Sequence, residues 1–120
     1  MKTRLMHVRA NVRNLDEAID WYTDVLGFKV TGTWPPEKPN YAHFESENGA
    51  IFAVMEDLNT PSHGRFNFTV EDTDALWQRL KDRAEVVEEL FDTPYGTRKF
   101  TIKDIAGNEL GFVQEQGKDE

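Results

Sequence analysis

The side chains that could do chemistry in this sequence lie at alternate positions of stretches that predict β-strands. Alternation of apolar and polar residues places the two kinds of side chain on opposite faces of a strand. In residues 5–12, for example, Val8, Ala10 and Val12 form an apolar face. The same reasoning along the whole chain, with one tryptophan from a proline-rich loop, predicts these ligand-binding residues: His7, Arg9, Asn11, Trp34, Tyr41, His43, Arg65, Asn67, Lys99 and Glu109.

This set combines cations, amides and aromatic rings, a mixture that is typical of small-molecule pockets. Arg9 and Arg65 lie on two similar strands of an otherwise acidic chain, and converging cations favour an anionic or carbonyl-bearing ligand. The remaining residues of the predicted lining are Ile51, Met55, Thr69 and Thr101. The alternative is that these residues form a solvated sheet face that binds nothing.

One predicted helix, which must pack against the opposite face of these strands, has sequence signals at both of its ends. Asn14 is a good N-cap, and Glu17 stands three residues later, as a capping box requires. Apolar residues recur between them at helical spacing, which predicts one buried side. Gly27 follows the last apolar pair, where a left-handed residue ends many helices.

The chain repeats this pattern with a fixed period. Residues 12–18 resemble residues 70–76, and residues 49–56 resemble residues 107–114, so both offsets are 58 (70 − 12 = 58 and 107 − 49 = 58). Two unlike segments that share one offset indicate duplication. We therefore expect two modules, about 1–58 and about 63–116, each a strand, a helix and three further strands. Two similar units of coincidentally equal length remain the alternative.

Local patterns predict the other elements. Strands are expected over 28–34, 41–45, 51–55, 65–70, 86–91, 98–103 and 109–114, and a second helix from Asp72 to about Arg83. Asn48-Gly49 predicts a two-residue hairpin turn. Residues 57–64 are expected to link the modules, and residues 116–120 to form a frayed polar tail.

Composition excludes several classes of function. A chain of 120 residues is one compact domain by size. Its formal charge of −8 argues against nucleic-acid binding, because phosphates require a basic surface. The absence of cysteine removes disulfides, thiol nucleophiles and thiolate metal sites, and is compatible with the cytoplasm. No apolar run is long enough to span a bilayer, so no membrane partner is expected.

Several motifs together resemble the glyoxalase, bleomycin-resistance and extradiol-dioxygenase superfamily, also called vicinal oxygen chelate. They are Asn14-Leu15, the helix end Trp21-Tyr22 to Leu26-Gly27-Phe28, residues 70–75, Pro94-Tyr95-Gly96, residues 100–104, Gly107-Asn108 and Phe112. The resemblance covers almost the whole chain. It implies an α+β fold of two tandem βαβββ modules whose curled mixed sheets surround a central cavity, often in a homodimer. The bleomycin-resistance-like branch is the most similar.

The resemblance also implies four metal-ligand positions, which fall here on His7, Ala53, Arg65 and Gly111. Only His7 can ligate a metal, whereas catalytic divalent metals generally take three protein ligands. We therefore expect no metal and no cofactor. Replacement ligands would have to come from Glu56, Glu109, His43 or His63.

These observations favour a metal-free small-molecule-binding protein whose ligand the sequence does not identify. One alternative is a lyase, isomerase or dioxygenase of the same superfamily, either metal-dependent or using His7 or Glu109 as acid–base and Arg65 to stabilise an oxyanion. Another is a subunit without a working cavity that associates with a partner. The scaffold alone does not choose between them.

Overall fold

The computed structural model describes residues 1–60, 62 and 64–115, and contacts divide the chain into two compact units, residues 1–62 (unit 1) and 63–120 (unit 2). In unit 1 the elements are β1 (His7–Val12), α1 (Leu15–Trp21), a π-helical segment (Tyr22–Leu26), β2 (Val30–Trp34), β3 (Tyr41–Phe44) and β4 (Ile51–Glu56). In unit 2 they are β5 (Arg65–Thr69), α2 (Thr73–Leu80), β6 (Glu85–Asp92), β7 (Thr97–Lys103) and β8 (Glu109–Glu115).

Each unit is a four-stranded mixed sheet with one helix against it. The strand orders are β1-β4-β3-β2 and β5-β8-β7-β6, and in each sheet the first pair is parallel and the other two are antiparallel. Neither sheet closes on itself. The two βαβββ modules predicted by the sequence are therefore confirmed as the fold class.

Aromatic side chains between helix and sheet form the core of each unit. In unit 1, Tyr22 is fully buried, with its ring centroid 5.2 Å from that of Phe44 and 5.6 Å from that of Phe52. In unit 2, the ring centroid of Trp77 on α2 lies 5.3 Å from that of Phe100, which is fully buried. Burying such large rings removes apolar surface from water and so stabilises the packing of each helix on its sheet.

The period of 58 residues holds in the structure. The strands that open the units begin at His7 and Arg65 (65 − 7 = 58), and the closing strands begin at Ile51 and Glu109 (109 − 51 = 58). The strand registers correspond as well, because His7 pairs with Ile51 as Arg65 pairs with Glu109.

Helix capping repeats with the same period. The side chains of Asn14 and Asp72 accept a hydrogen bond from the backbone N–H three residues later, at 2.9 and 3.0 Å. The first helical N–H groups are satisfied from the closing strands: Leu15 N donates to Glu56 at 3.0 Å, and Thr73 N donates to Gln114 at 2.8 Å. The duplicated contacts satisfy amide groups that a helix leaves unpaired.

Some predicted boundaries were wrong. The two-residue turn at Asn48-Gly49 is a six-residue loop, because β3 ends at Phe44 and β4 begins at Ile51. Within it, Ser46 Oγ donates to the carbonyl of Ala50 at 3.1 Å. The first helix changes to π-helical geometry at Tyr22. The hydroxyl of the next residue, Thr23, donates to the carbonyl oxygens of Ile19 and Asp20 in the preceding turn.

The predicted end of the first helix is confirmed, whereas the second helix is shorter than predicted. Gly27 ends the first helix with φ of 80°, as expected of a left-handed residue there. The second helix ends at Leu80 rather than near Arg83. The predicted tail, residues 116–120, lies outside the described residues. Among the described residues, no helix combines the length and apolar character needed to cross a membrane.

Gln114→Ala tests the strand-to-helix contact in unit 2. The variant removes the acceptor for Thr73 N and for Thr73 Oγ1, which donates at 2.9 Å from a fully buried residue. Because buried donors without a partner are costly, we expect a loss of about 1–3 kcal/mol in the free energy of unfolding, measured by urea titration. The exposed neighbour variant Glu115→Ala is the control, and equal urea midpoints for both variants would contradict this role.

Candidate functional site

The predicted ligand-binding residues lie on the face of each sheet opposite its helix, which we call the helix-free face. Phe44, Phe52 and Phe100 mark the helix side, because they contact aromatic residues of the helices. On the helix-free face of unit 1 lie His7, Arg9, Asn11, Gly32, Trp34, Tyr41, His43, Ile51, Ala53 and Met55. On that of unit 2 lie Arg65, Asn67, Thr69, Glu88, Phe91, Thr97, Lys99, Thr101, Lys103, Glu109, Gly111, Val113 and Glu115.

Strand pairing arranges the unit 1 residues in two rows across the sheet. The first row runs through Trp34, Tyr41, Met55 and Asn11. The second row runs through Gly32, His43, Ala53 and Arg9. Directly paired residues are neighbours on one face, so the first row is aromatic and apolar and the second carries two nitrogen-rich side chains.

Tyr41 and His43 form a contact within this face. The Tyr41 hydroxyl lies 3.1 Å from His43 Nδ1, and the two rings are 5.6 Å apart in an edge-on arrangement. A Cβ added to Gly32 would lie 2.6 Å from His43 Nε2, so only glycine leaves room for the ring there. The hydrogen bond and the contact with Gly32 fix where the imidazole lies. Tyr41 and His43 are both half-buried.

The other predicted residues of unit 1 differ in how they are held. Trp34 has 62% of its surface exposed, and His7 and Arg9 are also exposed. Asn11 is tied to the segment after β4, since its backbone N–H donates to Ser62 Oγ at 3.0 Å and its Nδ2 donates to the Thr60 carbonyl at 2.5 Å. Asn11 therefore helps to cover the edge of β1.

In unit 2, the predicted cations are paired with carboxylates on their own face. Arg65 contacts Glu109 through Nε at 3.0 Å and Glu88 through Nη2 at 3.3 Å. Lys99, which is only 8% exposed, has its Nζ 3.8 Å from Glu88. Thr101 Oγ1 donates to Glu88 at 2.7 Å. The charges of this face compensate one another.

This network lowers the pKa of Glu88. The hydrogen bond from Thr101 is the largest cause, partial burial opposes it, and the positive charges of Lys99 and Arg65 add to the lowering. Because the pKa is lowered in the folded protein, Glu88 stabilises the fold fully above pH 4.5, the ordinary value for the group. That stabilisation is lost as the pH falls below 4.5 through the folded-state pKa.

Asn67 completes the helix-free face of unit 2. Its Oδ1 occupies the space that a Cβ of Gly111 would take, so any side chain at Gly111 would displace it. Asn67 corresponds to Arg9 in the repeat (67 − 9 = 58). The two units therefore share a backbone pattern but differ at positions that the sequence predicts to bind a ligand.

Glu88 was not among the predicted residues, although it bonds three of the residues on this face. Simple alternation through 86–91 places Val86 and Glu88 on one face, but the register shifts between them. Val86 therefore pairs with Ile102 on the helix side, whereas Glu88 pairs with Thr101. The signal available in the sequence was an acidic residue, Glu88, within a predicted strand of the module that also contains the predicted ligand-binding cations Arg65 and Lys99.

Three of the four residues at the family metal positions do not suit a metal, and His7 is the exception. Ala53 and Gly111 have no ligand atoms, and Arg65 is a permanent cation already bonded to two carboxylates. Among the possible replacements, Glu56 caps α1 on the helix side, and His63 lies outside the described residues. Within the described part of the chain, no three His, Asp or Glu side chains cluster as metal ligands would.

A groove of about 310 Å³ lies beside the start of β1 in unit 1. It is lined by Arg4, Leu5, Met6, Gly49 and Ile51. Leu5 and Met6 are 67% and 69% exposed. Ile51 is the one lining residue that also belongs to the helix-free face.

A family model described as glyoxalase/bleomycin resistance protein/dioxygenase superfamily matches residues 4–112, nearly the whole chain. The chain belongs to this superfamily. None of the curated proteins matches it. The resemblance found in the sequence motifs is thus confirmed at the level of the superfamily, which contains both binding proteins and enzymes by its description.

Several solved structures share the fold of this chain. TioX from Micromonospora sp. ML1 is 24% identical with a TM-score of 0.79, over 95% of this chain and 100% of its own. TnmS3, an antibiotic binding protein from Streptomyces sp. CB03234, is 20% identical with a TM-score of 0.80, over 96% and 98%. A lactoylglutathione lyase from Agrobacterium tumefaciens is 21% identical with a TM-score of 0.74, over 94% of each chain.

Thr101→Val tests the origin of the lowered pKa of Glu88. The variant keeps the shape of a fully buried side chain but removes the hydrogen bond that lowers the pKa most. We expect the pKa of Glu88, followed by carboxyl NMR, to rise towards its ordinary value of 4.5. Thr69→Val on the same face is the control and should leave the titration unchanged. An unchanged Glu88 titration in Thr101→Val would contradict the assignment.

Proposed function

We propose that this protein is a metal-free small-molecule-binding protein of the glyoxalase/bleomycin resistance superfamily, and that its ligand contains a planar aromatic group. The observation that carries the proposal is the row of Trp34, Tyr41 and Met55 across the helix-free face of unit 1. Trp34 has 62% of its surface exposed, so much of its apolar ring area makes no contact within the fold and is available to a ligand.

The chemistry of this row suits stacking. Indole and phenol rings present flat apolar surfaces with little conformational entropy to lose, and a methionine adapts its shape to a ligand. The neighbouring row adds Arg9 and His43 as polar groups that could orient a bound molecule. A mostly apolar surface with few polar groups is the usual composition of a ligand site.

The comparisons support a binding role without determining it. One structural neighbour is an antibiotic binding protein, and this chain shares its fold. The lack of ligand atoms at Ala53 and Gly111 also favours binding over chemistry that needs a metal held at those positions. By analogy with that neighbour, sequestration of a compound is the simplest role for such a site.

An enzyme remains the second candidate, and the Tyr41–His43 contact is the observation that favours it. A histidine whose Nδ1 is held by a hydroxyl at 3.1 Å has the arrangement of an oriented acid–base group. Glu109, proposed for this role from the sequence, is instead paired with Arg65. A neighbour that is a lactoylglutathione lyase shows that the fold also supports an enzyme.

We also propose that the protein is a homodimer and acts in the cytoplasm, without nucleic-acid or membrane partners. The excess of carboxylates argues against nucleic-acid partners, and the absence of cysteine is compatible with the cytoplasm. The homodimer is what the resemblance to the superfamily implies. Sedimentation equilibrium at micromolar concentration should give a mass near twice the 13.9 kDa of one chain.

Trp34→Ala tests the proposed binding row. We expect planar aromatic compounds that raise the melting temperature of the wild-type protein to bind the variant about tenfold or more weakly, because one stacking surface is lost. Affinities are measured by isothermal titration calorimetry. Tyr95→Ala is the matched control, since Tyr95 is 73% exposed in a turn of unit 2.

Two results would contradict this proposal. Equal affinity of the wild-type and Trp34→Ala proteins would remove the binding role of this row. Turnover of a bound compound that His43→Gln abolishes would replace the binding role with the enzyme.

A further inference from the structure

The charges of the two helix-free faces differ although the backbones repeat. In a chain with a formal charge of −8, no strand residue on the helix-free face of unit 1 is a carboxylate. Arg9 is the permanent cation there, it is exposed, and it makes no ion pair within the part of the chain that the structure describes. This face is therefore positive within an acidic protein.

The helix-free face of unit 2 carries more cations, but each has an acidic partner. Arg65 is bonded to Glu88 and Glu109, and Lys99 lies near Glu88. Lys103 Nζ lies 3.6 Å from Glu85. An anion that approached Arg65 or Lys99 would have to displace a carboxylate already in place, so these cations are poor receptors for a ligand.

Arg9 and His43 stand on either side of Ala53 in one row. Two strand spacings place their Cα atoms about 10 Å apart, with only a methyl side chain between them. The His43 ring itself lies against Gly32, on the side away from Arg9. The Arg9 guanidinium is therefore the group in this row that would attract an anion.

The two rows are two residues apart along the strands, which is about 7 Å. This distance matches the length of one or two fused aromatic rings. Tyr41 and Arg9 are separated by one row and by two strand spacings, so their Cα atoms are about 12 Å apart. Two long side chains with a fused-ring acid between them can cover this distance.

We infer that the helix-free face of unit 1 is a site for planar aromatic acids, with the rings on the row of Trp34 and Tyr41 and the carboxylate or phenolate held by Arg9. The inference rests on the proposed binding function and names its ligand class. It assigns the anion to Arg9 and excludes the cations of unit 2 from that role.

The test compares two probes of the same shape and different charge, 2-naphthoate and 2-naphthamide, titrated into the ¹⁵N-labelled protein by NMR. We expect 2-naphthoate to bind at least about tenfold more tightly, with shifts centred on the Trp34 indole. Arg9→Gln should remove the preference for the acid and leave the affinity for the amide unchanged. Arg9→Lys keeps the charge and should retain part of the preference.

Arg65→Gln is the matched control, because it removes a cation from the corresponding strand of unit 2. It should leave the preference for the acid intact. Equal binding of acid and amide to the wild-type protein, or a preference that depends on Arg65 and not on Arg9, would overturn the assignment while leaving the aromatic row in place. Binding of neither probe at millimolar concentration would count against the aromatic row itself, and so against both proposals.

Discussion

Charge pairing on the unit 2 sheet is the constraint that decides which cations of the two helix-free faces can meet a ligand. Arg65 joins Glu88 on β6 and Glu109 on β8, while Thr101 and Lys99 on β7 contact the same Glu88 carboxylate. Such a network ties all four strands through side chains. Surface ion pairs contribute little singly, but a network that includes a buried lysine cannot lose one member without leaving another charge unpaired. Among the described strand residues of the two helix-free faces, Arg9 of unit 1 is the permanent cation that makes no ion pair.

Duplication explains why the two units share a scaffold and differ in chemistry. The helix caps correspond in position and chemistry, Asn14 with Asp72 and Glu56 with Gln114. These contacts satisfy backbone groups that every copy of the module must satisfy. The helix-free faces carry no such requirement. There Arg9 corresponds to Asn67, Tyr41 to Lys99 and His43 to Thr101, which makes one face aromatic and positive and the other polar and neutral.

The sequence predicted the fold well because its signals are local. The cap at Asn14, the glycine at Gly27 and the alternation along β1 each follow from neighbours in the chain. The period of 58 residues is the repetition of such local signals. The faces of the predicted site residues followed from the same alternation. What could not be predicted depends on the partners of each side chain across the sheet. Pairing of Arg65 with Glu88 requires the register shift in β6, and the place of the His43 ring depends on Gly32. The tie between Asn11 and the linker joins residues 51 positions apart.

The central claim is that the site binds an organic molecule without a resident metal, and metal content tests it most directly. Untagged protein would be incubated with nickel, zinc, manganese and ferrous iron, dialysed, and analysed by inductively coupled plasma mass spectrometry. Because Ala53 and Gly111 offer no ligand and Arg65 is a cation, the account predicts metal at background level for all four ions. Retention of about one equivalent of any of these ions would contradict the metal-free site and would favour a metal-dependent enzyme.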